Sequence, residues 1–488
     1  MEKLTYNKYV IYILYSLLIM KEFIYNDVVF TVGQSAQENW DLEKCITYAL
    51  ENNISIQQSE LSTKIAEQNV TSNKGSMLPN VNAFASNTYN FGQTIDPFTN
   101  QFATERVRSN SLGVSASMNL FNGFQNKYSL EQSKYELTAR QYDLDKARND
   151  ISLAVAAGYL QILFNMEMAD AALAQVNLTQ KQLERTTKLV NAGTVPKGSA
   201  YDVEAQLANE ELNLTQANNN LDLSYLQLKQ LLQLDISEKL KIVEPNLSID
   251  ENATVATRPG QVYDKALNIL PQLKSAENNV LGAESQLKSV KGNYYPRLSL
   301  SGSIGSGYSG LRETYSDFVD LSFPIGTTAS GEVVSETISI PSTIETKAFG
   351  EQLTDNFNQS IGLSLSIPIF NRFQVSTGVS QAKLNLESRN LQYEQTKNDV
   401  RQTIERAYAD AVAGLKSYKA NLKAVKAMKE SYGYMLKRYE VGMLNAVDLT
   451  DSKTRLSNAE SALLRAKYDY IFKLKILDFY QGNAISLK

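Results

Sequence analysis

The 488-residue chain contains no histidine, so the side chain most often used as a general base or metal ligand near neutral pH is missing. Without it no Ser/His/Asp, Cys/His or His-Glu-x-x-His arrangement exists, and no other catalytic or metal-binding constellation takes its place. An enzyme is therefore not expected, nor is a cofactor. The single cysteine, Cys45, excludes an internal disulfide and a zinc cluster. It sits in Leu-Glu-Lys-Cys, which lacks the small residues of a lipoprotein cleavage site, and is expected to be a buried small side chain. Proline is scarce. None lies between Pro97 and Pro196 or after Pro368, so long helices there meet no forced break. The net charge of −4 provides no basic footprint for nucleic acid. Beyond the N-terminus no run of about eighteen uninterrupted apolar residues occurs, and no membrane-spanning helix is expected there.

Residues 1–36 read as a signal peptide: Lys3 and Lys8 precede the apolar run from Tyr9 to Met20, and Gly33, Ser35 and Ala36 mark a cleavage site before Gln37. Lys21, Glu22 and Asp27 lie between core and site and depart from that pattern. An N-terminal anchor is the alternative.

What the chain does have is a duplicated junction. Residues 111–125, SLGVSASMNLFNGFQ, return as 360–374, SIGLSLSIPIFNRFQ, at an offset of 249 (370 − 121), with eight identities in fifteen positions. In the first copy Leu112, Val114, Ala116, Met118 and Leu120 alternate with Ser111, Gly113, Ser115, Ser117 and Asn119. That is a strand with one apolar and one polar face. From Gln125 the period changes: Leu130, Leu137, Leu144 and Ile151 recur every seven residues, as a helix requires. Gly193 and Gly442, also 249 apart (442 − 193), mark the helix ends.

The expected order in the first repeat, 37–234, is a helix from Trp40 to about Gly75, strands over 80–91 and 109–122, a long helix from Gln125 to Ala192, and a returning helix to Leu234. Residues 193–199, GTVPKGS, resemble a phosphate loop but lack the lysine after the second glycine, and read as a turn. A polar linker over 235–260 leads to the second repeat, 261–482, and a tail over 483–488. That repeat has a helix from Gln261 to about Lys291, strands over 297–306 and 358–370, a long helix over 374–441 and a last helix over 448–481. Its hairpin is longer by 32 residues (74 from Pro296 to Phe370 against 42 from Pro79 to Phe121), and the surplus, about 308–352, is read as an exposed loop. Each long helix would reach about 100 Å at about 1.5 Å per residue and is too charged for lipid, so it must stand in water. The two shorter helices of a repeat, stacked end to end, match its length and predict the paired-helix wall of a tube.

Four strands do not close a barrel, and open edges in lipid leave backbone groups unpaired. Three chains give twelve strands, with the apolar face on lipid and serine, glycine and asparagine on a wet lumen. A soluble β-sandwich is the plainer reading of the alternation, but it gives the long polar helices no purpose.

The chain from Trp40 to Gly482 resembles the TolC-like outer-membrane efflux proteins, through the duplicated strand-to-helix junction and through YEVGMLNAVDLTDSKTRLSNAESAL at 439–463. The resemblance implies a mainly α protein with membrane β: a homotrimeric twelve-stranded outer-membrane barrel continued by a helical barrel across the periplasm. It implies docking with a periplasmic adaptor and an inner-membrane RND or ABC transporter, and passive export. It places a pore constriction at Asp448 and Asp451, where six carboxylates in three chains would attract cations. Helix capping is the plainer role for an aspartate there. It also assigns gate contacts to Tyr439 and Asp202, although nine residues separate Gly193 from Asp202 and six separate Gly442 from Asp448. Leu444 stands where the family's best-known member carries a locking arginine, so that ion pair is absent. The competing reading is a periplasmic coiled-coil adaptor.

Overall fold

The computed structural model describes residues 39–486 except 97, 105, 246–248, 251–253, 256–257 and 484. The signal-peptide reading of 1–36 lies outside the described residues. The elements in chain order are β1 (Asn39–Trp40), α1 (Leu42–Asn52), α2 (Ile54–Gly75), β2 (Asn80–Asn90), β3 (Thr94–Ile95), β4 (Phe102–Ala103), β5 (Val107–Asn122), α3 (Gln125–Asn191) and α4 (Gly198–Leu232). The second half continues with β6 (Lys241–Ile242), α5 (Pro259–Ile269), α6 (Pro271–Lys291), β7 (Arg297–Ser309), β8 (Glu313–Thr327), β9 (Val333–Thr346), α7 (Phe349–Asp355), β10 (Asn358–Ser366), α8 (Gln374–Glu440) and α9 (Ala446–Tyr480).

The junctions are built alike. β5 passes into α3, and the approach to α8 follows the same path, through two consecutive left-handed residues: Gly123 (φ 66°) and Phe124 (φ 63°), then Arg372 (φ 50°) and Phe373 (φ 63°). An aromatic pair braces each turn, Phe121 edge-on to Phe124 at 5.2 Å and Phe370 to Phe373 at 5.8 Å. The long helices have 67 residues each and end in the same Schellman cap. Thr194 N–H donates to the Leu189 carbonyl and Gly193 to Val190; Met443 donates to Arg438 and Gly442 to Tyr439.

Where one helix is expected before each hairpin, the chain forms two. Asn53 is extended (φ −69°, ψ 126°) and caps α2 by accepting from Ser55 N–H at 2.9 Å. Leu270 is extended because it precedes Pro271. These breaks are 217 residues apart (270 − 53), which is the repeat of 249 less the 32-residue hairpin surplus, so both belong to the duplicated plan. One is made by an amide cap and the other by proline.

Two small cores repeat in the same way. Cys45, Ala49, Val155 and Leu228 in the first correspond to Val262, Ala266, Ile404 and Leu477 in the second. Cys45 therefore occupies a valine's place, fully buried, and burial pushes its thiol up to about 12. Thiol reagents are expected to leave native protein unlabelled and to label one cysteine after denaturation. Rapid labelling of the native protein would contradict this packing. Tyr159, also buried here, donates to the Val243 carbonyl at 2.6 Å. That contact fixes the parallel β1–β6 pair, whose second strand lies within the polar linker over 235–260.

The main sheet has the order β10-β7-β5-β2, all antiparallel, with β2 and β10 as its edges. The register puts Ala83, Val114 and Ile304 in one row and Met118, Leu300 and Leu363 in another, on the apolar face. Serines face the other way, where Ser86 meets Ser111 at 2.9 Å and Ser303 meets Ser360 at 2.8 Å. β10 stops at Ser366 rather than at 370 because Pro368 has no N–H for the ladder, leaving Ile367, Ile369 and Phe370 exposed.

The 308–352 surplus is not an irregular loop. It is a second hairpin, β8 and β9, whose pairs Val319–Ile340 and Leu321–Ile338 make one exposed apolar face. Its base is tied by buried polar groups: Ser309 Oγ donates to Asp96 at 2.5 Å, and Ser309 N–H donates to Gln352 at 2.9 Å.

α3 contains the one described stretch long and apolar enough to cross a membrane. That stretch is core material: Val155, Ala156, Tyr159, Leu160 and Leu163 are buried with Leu42 of α1 and Leu228 and Leu232 of α4. α2 and α4 both pack along α3, and α6 and α9 along α8, as the helix lengths required.

Candidate pore entrance

The candidate residues gather at the far end of the long helices from the sheet, around the two Schellman turns. α9 starts at Ala446, two residues earlier than expected, and its cap is Asn445, whose side chain accepts from Asp448 N–H at 2.8 Å. Asp448 is therefore not the cap. It lies in the first turn, where its charge meets the helix dipole favourably. Asp451 accepts from Arg455 Nε at 2.9 Å, an exposed pair one turn apart and so of small energetic weight.

One face of α9 is exposed at Asp448, Asp451 and Arg455, while Leu449, Lys453 and Leu456 form a buried stripe at i, i+4 and i+7 against the rest of the chain. The carboxylates point away from the body of the subunit. Asp202 is likewise exposed, and the next residue, Val203, is buried.

Asp202 stands in register with Asp451 rather than with Asp448. Nine residues separate Gly193 from Asp202 (202 − 193) and Gly442 from Asp451 (451 − 442). At this spacing Leu207, Asn209, Glu211, Leu214 and Ala217 recur as Leu456, Asn458, Glu460, Leu463 and Ala466. Gln233 and Gly482, the left-handed residues that end α4 and α9, are again 249 apart (482 − 233). Asp202 is thus the first-half copy of Asp451.

Tyr439 is half-buried in the last turn of α8. Among the described residues no hydrogen bond joins it to Asp202. Leu444 is half-buried in the turn between α8 and α9. The residue that sequence reasoning missed is Lys453, and its signal was a lone cation on an otherwise apolar helical stripe.

An open sheet with one apolar face, continuous through tight junctions with paired helices of about 100 Å, defines a class: membrane β-domain proteins extended by a helical duct. The chain belongs to the outer membrane efflux protein family, whose sequence profile matches residues 45–233 and 262–483. It is 26% identical over 324 residues to the outer membrane protein TolC of Escherichia coli (strain K12), covering 65% of this chain. The match spans 58% of that protein, less than two thirds of its length. The outer membrane efflux protein BepC of Brucella suis biovar 1 (strain 1330) is 21% identical over 444 residues, 90% of this chain and 84% of BepC. In fold the chain resembles the crystal structure of CusC, with a TM-score of 0.74 at 15% identity over 93% of this chain and 96% of that one. It is an outer-membrane protein of the TolC-like type, with a β domain and a helical barrel domain.

Proposed function

We propose that three copies of the chain close a twelve-stranded barrel and a helical tube below it, forming a passive exit duct across the outer membrane and periplasm. The observation that carries this reading is the pair of unpaired edges, β2 and β10, on a sheet whose other face is apolar. In lipid each unmatched backbone group costs several kcal/mol. Pairing β10 of one subunit with β2 of the next removes both edges and uses no further chain. The serine face then lines a wet lumen.

On this reading Asp448 and Asp451 ring the periplasmic entrance, and Tyr439 and Asp202 belong to the contacts that close it. A periplasmic adaptor and an inner-membrane RND or ABC transporter supply the substrate and the energy. The efflux in the names of the family and of BepC supports this assignment. Outer-membrane location counts against the adaptor reading.

Protein purified in detergent is expected to sediment as a trimer and to conduct ions in a planar bilayer. A stable monomer without conductance would end the proposal.

A further inference from the structure

The seam between α9 and the first half of the chain changes character along its length. Midway, Glu167 of α3 accepts from both Lys467 (2.9 Å) and Tyr468 (2.6 Å) of α9, and Tyr468 also packs edge-on against Phe164. Fourteen residues nearer the entrance (467 − 453), about 21 Å along the helix, Lys453 is only 3% exposed. Its Nζ donates to Thr179 Oγ1 of α3 at 2.5 Å, and Thr179 in turn donates to the Gln175 carbonyl at 2.9 Å. Burial holds Lys453 below the usual lysine range, opposed in part by the charge of Glu210 on α4, which is itself 8% exposed and forms no ion pair with Lys453. The Glu210 carboxylate accepts from Gln206 at 2.6 Å. One turn from Thr179 the side-chain oxygen of Gln175 is buried without a partner among the described residues, in a crevice that Glu210, Asn213 and Ser457 also line.

This polar patch is not inherited from the duplication. The residue 249 before Lys453 is Glu204, which is exposed, and the residue 249 after Thr179 is Met428. Leu449 and Leu456, the neighbours of Lys453 on the buried stripe, are apolar. A buried ammonium with one hydroxyl acceptor gives up much hydration, which it regains when the helices part. An apolar side chain there would seal the seam more firmly.

We infer that Lys453, buried and bonded to Thr179, keeps the seam behind the entrance weakly closed and so sets how much the channel conducts at rest. Asp451 stands two residues away on the opposite, exposed face of the same helix, so any parting of the seam moves the carboxylates with it.

The inference rests on the channel reading, and the test separates the two. Single-channel conductance is measured for purified wild type, Glu210→Gln, Lys453→Met/Glu210→Gln and Thr179→Val. Neutralising Glu210 removes the carboxylate whose charge favours the buried ammonium and is expected to raise resting conductance on the order of threefold. Removing both charges should return it to the wild-type level or below. Thr179→Val, which takes away the acceptor, should raise it as well, and serves where Glu210→Gln fails to assemble. If wild type conducts and the double variant is as leaky as Glu210→Gln, lost packing is the cause and the inference falls. It falls equally if neither Glu210→Gln nor Thr179→Val alters conductance. A wild type without conductance overturns the channel reading itself.

Discussion

Valine in place of Gly123 is expected to leave no folded protein in the outer membrane. The residue has φ 66°, a left-handed conformation that costs side-chain-bearing residues about 1–2 kcal/mol. A Cβ there would stand 2.2 Å from the Gly292 carbonyl oxygen and 2.9 Å from its carbon, both rigid backbone atoms. The closeness is mutual, because a Cβ on Gly292 would lie 2.6 Å from the Gly123 oxygen. Two glycines thus let the strand-to-helix turn of one half sit directly on the helix-to-strand turn of the other. The loss should exceed about 4 kcal/mol, the range reserved for core and backbone disruption. Arg372, which matches Gly123 at the offset of 249 (372 − 123), has φ 50° and already carries a side chain. Arg372→Gly should therefore stay within about 1 kcal/mol of wild type. Heat-resistant oligomer on gels and outer-membrane yield are the readouts. Normal assembly of Gly123→Val would show that the interlocked turns can yield.

The second large effect is electrostatic. Replacing Asp448 and Asp451 by alanine is expected to abolish cation preference and to weaken block by a trivalent cation by on the order of a hundredfold, the scale on which a charged ring concentrates counterions. Asp448 alone should account for more of this than Asp451 alone, because Arg455 offsets part of the Asp451 charge. Arg455→Ala should correspondingly strengthen block. Reversal potentials under a salt gradient and blocker titrations measure both. An unchanged reversal potential in the double variant would remove these carboxylates from the entrance.

Much of this organisation was legible in the sequence because the duplication acts as an internal comparison. Alternation in 111–120, the helical period after Gln125 and the glycines at 193 and 442 each appear twice, so sheet, rods and turns were placed to within a few residues. The parts that escaped were those where local chemistry differs between copies. A single asparagine cap breaks the helix at 53, and nothing in the apolar period announces it. The β8–β9 hairpin was hidden by Pro324 and Pro341, which argue against strand, and by serine and threonine that also suit loops. The role of Lys453 depends on what α3 and α4 place opposite it, which a helical period does not reveal. The Asp202 register became clear only when the ends of α4 and α9 were seen to keep the same spacing.

The equal length of α3 and α8, 67 residues each, has a mechanical consequence. One extra residue in either would lower its end by about 1.5 Å and rotate its surface by about 100°. Rods of matched count finish at one depth, so the proposed trimer would present six tips in a single plane. The periplasmic end would then be a flush rim, a level seat for another ring, and indels in these helices would be tolerated only in pairs.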